Sequence, residues 1–457
     1  MNRLSRGLLW SAMVLCAPML AHAGVSEEKA AELDEGGSLT PIGATRAGNA
    51  DGTIPAWDGG LKPSEMPDCY EGEGSRYCNP FPDDKPVYTV TAENMEQYAD
   101  LLSEGQKAMF EMYPNSYKMP VYETRRTFAN PEWIYEATRR NAVNAELGGN
   151  GEALQGAING YPFPIPENGH EVIWNHKVRY IGRWVQRWNN QFAVTQGGRY
   201  NQVTIREDVY FPYNDPENEI EDLENVIIYF LQVVTDPPRL AGTITLVHET
   251  MDQVTEPRRA WQYNPGQRRL RRAPNVGYDN PGTAADGLRT NDQTDTFNGA
   301  MDRYTWKLVG KKEMLVPANS YELHSDRHEY SDIIKEGHIN QDLTRYERRR
   351  VWVVDAETKP GTTHIYKRRK FYVDEDGWQI RAVDIYDRRD QLWRFQETHS
   401  VLAYDKPFVM PMGETIYDLQ NGRYLGQAFN NQHPENVERE FDRDYFQPSN
   451  VSRQATQ

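Results

Sequence analysis

From Arg183 onward the chain alternates apolar and polar positions at the two-residue period of half-buried strands. RWVQRWNNQFAVTQ, YNQVTIREDVYFPY and GTITLVHETMD are β-branched or aromatic runs divided by Gly, Asn, Asp and Pro. Val226 to Val234 is apolar at both parities, which predicts a central strand covered on both faces. An Asp/Gly/Asn-rich loop from Asp279 to Gly299 leads to YTWKLVG. Three further strands follow, THIYKRRKFYV, WQIRAVDIY and LWRFQETHSVLAY, joined by the turns DEDG and DRRD. Strands in succession with short turns make an antiparallel meander. No dozen-residue helices separate them, which argues against a parallel sheet.

The helical period is confined to the first third of the chain. Thr91 can cap a helix with the stripe Met95, Tyr98, Leu102 and Met109, ending before Pro114. Asn130 caps a second, with Pro131 in its first position, Trp133, Ile134, Ala137 and Leu147 on its apolar side and Gly148-Gly149 closing it. Glu171 to Tyr180 fits a short helix or a strand equally well. Before these, residues 24–84 show no long periodic segment and read as an extended arm laid over the rest. The tail from Phe408 is polar with scattered anchors and is expected to close over the open side of the sheet. The fold class that follows is mainly β with helices (α+β): one large, curved antiparallel sheet enclosing helices. Its parts are a signal peptide (1–23), an arm with a cysteine loop (24–90), a helical segment on the sheet (91–165), the sheet (166–446) and a disordered tail (447–457).

Charge and cysteines narrow the setting. Arg3 and Arg6, the apolar run from Leu8 to Leu20 and Ala21-His22-Ala23 form a secretory leader cleaved after Ala23. The formal net charge of -16 argues against general nucleic-acid or anionic-membrane binding, and no later run is long enough for stable membrane insertion. Only Cys69 and Cys78 follow the leader, so an exported chain should join them as a disulfide.

One hairpin runs against the acidic balance. RRAWQYNPGQRRLRRAP places Arg258, Arg259, Arg268, Arg269, Arg271 and Arg272 around a Pro265-Gly266 turn. Like charges this close repel unless carboxylates or an anionic ligand lie opposite. Arg268, Leu270 and Arg272 share one strand face, and Arg269 and Arg271 the other. With Leu270 turned to the apolar interior, Arg268 and Arg272 would reach a ligand mouth, leaving Arg269 and Arg271 to surface ion pairs.

YNPGQRRLRRAP also resembles the signature of a large family of Gram-negative secreted proteins of unassigned function, described as outer-membrane-lipoprotein-sorting-like. LTPIGATRAGNADGTIPAWDGGL, GYPFPIPENGHEVIWNHKVRY, DRYTWKLVGKKEMLVPAN, RYERRRVWVV and FYVDEDGWQI are similar to further blocks of that family. The resemblance implies the half-barrel of the LolA and LolB carriers and a periplasmic location. It also implies work beside an RND-family permease and an outer-membrane protein.

Catalytic motifs are scarce: the chain has no G-x-S-x-G, P-loop or H-E-x-x-H. His324 and His328 are a weak zinc candidate, and two ordinary histidines on a loop explain them better. The functional expectation is a non-enzymatic carrier of a hydrophobic small molecule or lipid, with no cofactor. Trp174, Trp184, Trp188, Tyr229, Trp261, Tyr263, Trp306, Trp352 and Trp393 are candidate liners, with Arg268 and Arg272 at the mouth. The alternatives are an envelope hydrolase or metal enzyme and a scaffold without cargo.

Overall fold

The computed structural model describes residues 24–273 and 276–454; the expected leader lies outside them. The first strands are β1 (Tyr88–Val90), β2 (Met119–Val121), β3 (Glu146–Gly148) and β4 (Ala153–Gln155). Then come β5 (Trp184–Val194), β6 (Tyr200–Tyr210), β7 (Val226–Asp236), β8 (Ile244–Thr250), β9 (Arg259–Asn264) and β10 (Arg269–Arg272). The third group is β11 (Tyr304–Pro317), β12 (Tyr346–Thr358), β13 (Arg368–Asp374) and β14 (Ile380–Tyr386). The last strands are β15 (Leu392–Ala403), β16 (Phe408–Asp418) and β17 (Arg423–Phe429). All but the β3–β4 ribbon join one 15-stranded sheet, ordered β1-β2-β12-β13-β14-β15-β16-β17-β5-β6-β7-β8-β9-β10, with β11 also on β12. Its pairing is antiparallel except at the single parallel position Tyr346↔Val121.

The sheet is curved, as expected. β11 packs directly on β14 and β15, three and four places along the sheet. In a flat sheet with ~4.8 Å between strands they would stand about 14 and 19 Å away, so the meander curls. The arm carries one short turn, α1 (Glu27–Ala30), and the curl holds α2 (Glu104–Met112). The Gln106 amide of α2 donates to the Leu315 carbonyl at 2.9 Å, and the Ser103 hydroxyl and Gly105 N–H donate to Asp384 at 2.9 Å each. A Cβ on Gly105 would lie 2.2 Å from the Phe395 ring, so glycine is what lets the helix sit this close. Met109 and Phe110 complete the contact with Met314, Ala382 and Phe395.

Two sequence expectations are corrected and one alternative is decided. The predicted helix from Thr91 is a 3-10 stretch, Met95–Leu101, broken before α2, because Ser103 and Gln106 form a capping box of their own. The second helix, α3 (Glu132–Asn144), has Pro131 just outside it and ends early, because Leu147 belongs to β3. The ambiguous segment is a helix, α4 (Gly169–Val178), capped by Asn168, whose side chain accepts from the Glu171 N–H at 3.1 Å.

The larger correction concerns the tail. Residues 408–429 do not close over the sheet; they are its middle strands, β16 on β15 and β17 on β5. Beyond them Phe441, Phe446 and Val451 are buried against β6–β9, and the expected disordered end forms a helix, Pro448–Gln454, over its described residues.

The arm is docked. Arg126 donates to the carbonyls of Thr45, Arg46 and Pro55 and pairs with Asp376 at 2.6 Å, while Arg348 holds Asp51 at 2.8 Å. The Cys69–Cys78 disulfide is formed. Tyr70 and Tyr77 of its loop stack at 5.6 Å and both donate to Asp405 in the β15–β16 turn. The meander arginines Arg345, Arg348, Arg349, Arg350, Arg368 and Arg369 all face carboxylates.

Candidate functional site

Strand register builds a floor. Val185↔Val209, Val209↔Phe230, Phe230↔Val247 and Val247↔Ala260 are successive partners, so these residues form an apolar row across β5–β9. Two residues along each strand, Arg187↔Glu207, Glu207↔Gln232, Gln232↔Thr245 and Thr245↔Gln262 form a polar row on the same face. The 276–298 loop, Tyr180–Gly182 and the β15–β16 turn stand over this floor and enclose a cavity of about 420 Å³. Ile228 and Phe230 of β7 stay half-buried because they face that space, whereas Tyr229 and Leu231 on its other face are buried. The strand is central, as its double-sided apolar pattern predicts.

Several charged groups around the cavity are neutralised by carboxylates, while Arg289, also in its lining, is buried with its guanidinium on the Gln191 side-chain oxygen and the Thr290 carbonyl. Arg187 donates to Glu207 at 2.6 Å, and Gln232 and Asn189 bond the other oxygen of the same carboxylate. Arg258 pairs with Glu249, whose far side meets Lys177 at 3.9 Å. Burial drives the Lys177 ammonium down to about 8 despite that carboxylate, and it donates to the Gly299 carbonyl at 3.0 Å. Burial alone would raise Asp295, but Arg179, paired at 2.6 Å, holds it below the ordinary carboxylate range. The site thus presents an apolar strip between charged groups that are each held by partners within the protein. It suits an amphiphile, with the strip as the part that gains from excluding water.

Of the residues proposed as liners, only Trp184 touches this cavity, at the start of β5, and its ring stacks on Tyr210 of the opposite face. Trp174 and Trp306 are buried in the core under α4, donating to the Gly151 and Met301 carbonyls. Trp352 stacks on Trp378, Trp393 donates to Asp418, and Trp188 stacks on His433. Tyr229, Trp261 and Tyr263 lie on the opposite face, where Trp184, Tyr210, Tyr229, His248 and Trp261 form an aromatic ladder. Phe446 and its neighbours cover that ladder. Bulky rings thus fill the covered face, and β-branched residues line the open one. Strand parity could have separated the two sets, but not which face would be covered.

The hairpin turns the other way from expectation. Leu270 does face an apolar interior, but it is the aromatic cluster under the C-terminal segment. Arg272 goes with it, its guanidinium 5.7 Å from the Trp261 ring centre, and Arg268 is exposed in the turn with a φ of 49°. Arg269 and Arg271 pair with Asn264 and Gln262 on the cavity side. His324 and His328 are held by separate carboxylates, Glu435 at 2.6 Å and Glu322 at 2.7 Å, and do not converge.

The chain has relatives. The chain is 51% identical over 422 residues, 92% of each chain, to an uncharacterized protein of Pseudomonas aeruginosa, PA3922. Among solved structures, an outer membrane lipoprotein-sorting protein domain from Vibrio parahaemolyticus gives a TM-score of 0.41 at 12% identity, covering 62% of this chain and 97% of that one. A LolA superfamily protein from Nitrosomonas europaea gives 0.38 at 10%, covering 62% and 99%. A family model described as a protein of unknown function (DUF1329) matches residues 89–452, nearly all of the folded chain, and this protein belongs to that family.

Proposed function

We propose that this protein is a non-enzymatic periplasmic carrier that shelters a lipid-like or other hydrophobic molecule between the β5–β8 floor and the 276–298 loop. The observation that carries this reading is the cavity: about 420 Å³, floored by Val185, Val209, Phe230 and Val247. That volume lies within the roughly 300–1,000 Å³ range of small-molecule sites. The leader supports export, and among the described residues no helix is long and apolar enough to cross a membrane. Service to an RND-type export system rests on the family resemblance. Residues 24–90 act as an arm strapping the carrier sheet of 166–446, with 91–165 packed on it.

Native mass spectrometry of protein purified without detergent is expected to show a bound lipid-sized adduct; stoichiometric zinc would favour a metal enzyme, and neither would favour a scaffold. Val247→Trp, which puts an indole into the cavity, is expected to weaken binding of a fluorescent fatty-acid probe tenfold or more with little change in thermal stability. Unchanged probe affinity in this variant would place the ligand elsewhere.

A further inference from the structure

The polar row of the cavity floor does not stop at β9. Gln262 partners both Thr245 of β8 and Arg271 of β10, so Arg187, Glu207, Gln232, Thr245, Gln262 and Arg271 form one line across six strands, all on the cavity face. Arg269 pairs with Asn264 on the same face, one step further along. These two arginines wall a shallow depression that shares Val276 and Asn291 with the main cavity, so the two spaces adjoin; Arg272 borders the same depression.

The cations along this line are not equivalent. Arg187 is neutralised by Glu207, and Arg258, at the cavity wall, by Glu249. Arg259, at the start of the hairpin, has Glu256 at 3.2 Å. Among the described residues no carboxylate lies within ion-pair distance of Arg269 or Arg271, and both are exposed. In a chain of net charge -16, where Arg345, Arg348, Arg349, Arg350, Arg368 and Arg369 of the meander are matched to carboxylates, two neighbouring unmatched guanidiniums repel each other. They are free to fork onto oxyanions, the geometry guanidinium recognises best.

Resting on the carrier reading above, we infer that the cargo is a single-chain amphiphile with an anionic head group, a carboxylate or a phosphate. Its head is bound by Arg269 and Arg271, and its apolar chain lies along the Val185–Val209–Phe230–Val247 row. Arg187 and Arg258 are paired with carboxylates, and Arg289 is buried on Gln191 and the Thr290 carbonyl, so the exposed hairpin arginines set the direction: the head docks at the β9–β10 hairpin and the chain points toward Phe408 and Ile181 at the other end of the cavity. Arg272, on the ladder face over Trp261, and Arg268, in the turn, are not part of the head-group site.

The test compares a fluorescent long-chain fatty acid with its methyl ester on the mature protein. Wild type is expected to bind the acid at least tenfold more tightly than the ester, with the advantage shrinking as salt is raised. Arg269→Gln/Arg271→Gln is expected to bring the acid down to the affinity of the ester, leaving ester binding and melting temperature unchanged. Arg268→Gln/Arg272→Gln is expected to change neither probe. Displacement by an alkyl carboxylate or by an alkyl phosphate of equal chain length tells which head group is preferred, and either supports the inference. Equal displacement by the neutral alcohol overturns it. Equal binding of acid and ester by wild type overturns the head-group site alone; binding of neither probe overturns the carrier reading with it.

Discussion

Replacing Arg349 with methionine is expected to destabilise the protein by about 3–5 kcal/mol, while Arg348→Ala next to it costs less than about 1 kcal/mol. The two residues are adjacent in sequence and on opposite faces of β12. Arg349 is 1% exposed and donates to three carboxylates: Asp374 at 2.8 Å, Asp376 at 2.9 Å and Glu347 at 3.1 Å. Each of those acids is buried and shared with another arginine: Asp374 with Arg381, Asp376 with Arg126 and Glu347 with Arg345. Methionine keeps the apolar stem but removes the positive charge at the centre, leaving buried carboxylates in excess. Arg348 holds Asp51 and Glu313 at partly exposed positions where water replaces it cheaply. The check is the urea midpoint of each variant at constant slope. Because Arg126 links this network to the Thr45, Arg46 and Pro55 carbonyls, R349M should also speed proteolysis of the arm. A midpoint for R349M equal to that of R348A would show that the network contributes nothing beyond a surface pair.

This network was half legible. The arginine runs of β12 and β13 and the abundance of acids told of cross-strand pairing, but not which members were buried, since that depends on the arm and on which face α2 occupies. The strand runs from β5 to β8 and from β13 to β15 were read directly, because β-branched and aromatic residues alternate there without interruption. β16 and β17 were missed because their composition argues against strands: Pro411, Gly413 and Gly426 interrupt them. The glycines are explained by one ring. A Cβ on Gly413 would lie 2.8 Å, and one on Gly426 3.2 Å, from Phe429, so both are small to admit it. Pro411 sits at a register shift between His399 and Ser400 of β15.

The cavity escaped the sequence for a related reason. Aromatic residues were taken as the natural lining of an apolar site, yet here they are consumed by the covered face. The cavity is floored by valines and one phenylalanine that look like ordinary strand residues until the register aligns them. The hairpin arginines were recognised as exceptional, and their strand parity was assigned correctly. The inversion came from equating the apolar side of Leu270 with the ligand side, when the sheet has a buried layer on each face.

The second large effect is expected in the pH dependence of stability, and Glu397 should carry a separable share of it. Its side chain is fully buried; Tyr346 donates to one oxygen at 2.8 Å, and His399 is 3.8 Å away. Burial pushes the Glu397 carboxyl up to about 8 and the His399 imidazole down to about 3, so near neutral pH both are uncharged and do not form an ion pair. A carboxyl whose folded pKa is raised binds more protons in the folded than in the unfolded chain. Its stabilisation is complete below the unfolded value near 4.5 and is lost as pH rises through about 8. The buried histidines His170, His176 and His248, lowered to about 4, and His399, lowered to about 3, act in the opposite sense, and because the unfolded histidine is still half protonated at about pH 6.5 their contribution runs on for about one pH unit more. Lys177, lowered to about 8, adds stability only above that. Between pH 6.5 and 8 the buried carboxyls and the histidines therefore pull against each other, Glu414 (about 7) adding a smaller part in the same direction as Glu397. At about 1.4 kcal/mol per unit for one proton, Glu397 alone should lower the unfolding free energy by about 1.5 kcal/mol across this window, a share that is isolated by comparing two proteins that keep every histidine. Glu397→Gln, which keeps the shape and the hydrogen bond from Tyr346 while removing the proton, should lose that share, so that the variant gains about 1.5 kcal/mol on the wild type between pH 6.5 and 8. Urea titrations of both proteins at pH 6.5 and pH 8 measure it; the same change with pH in both proteins would mean that Glu397 is ionised in the fold.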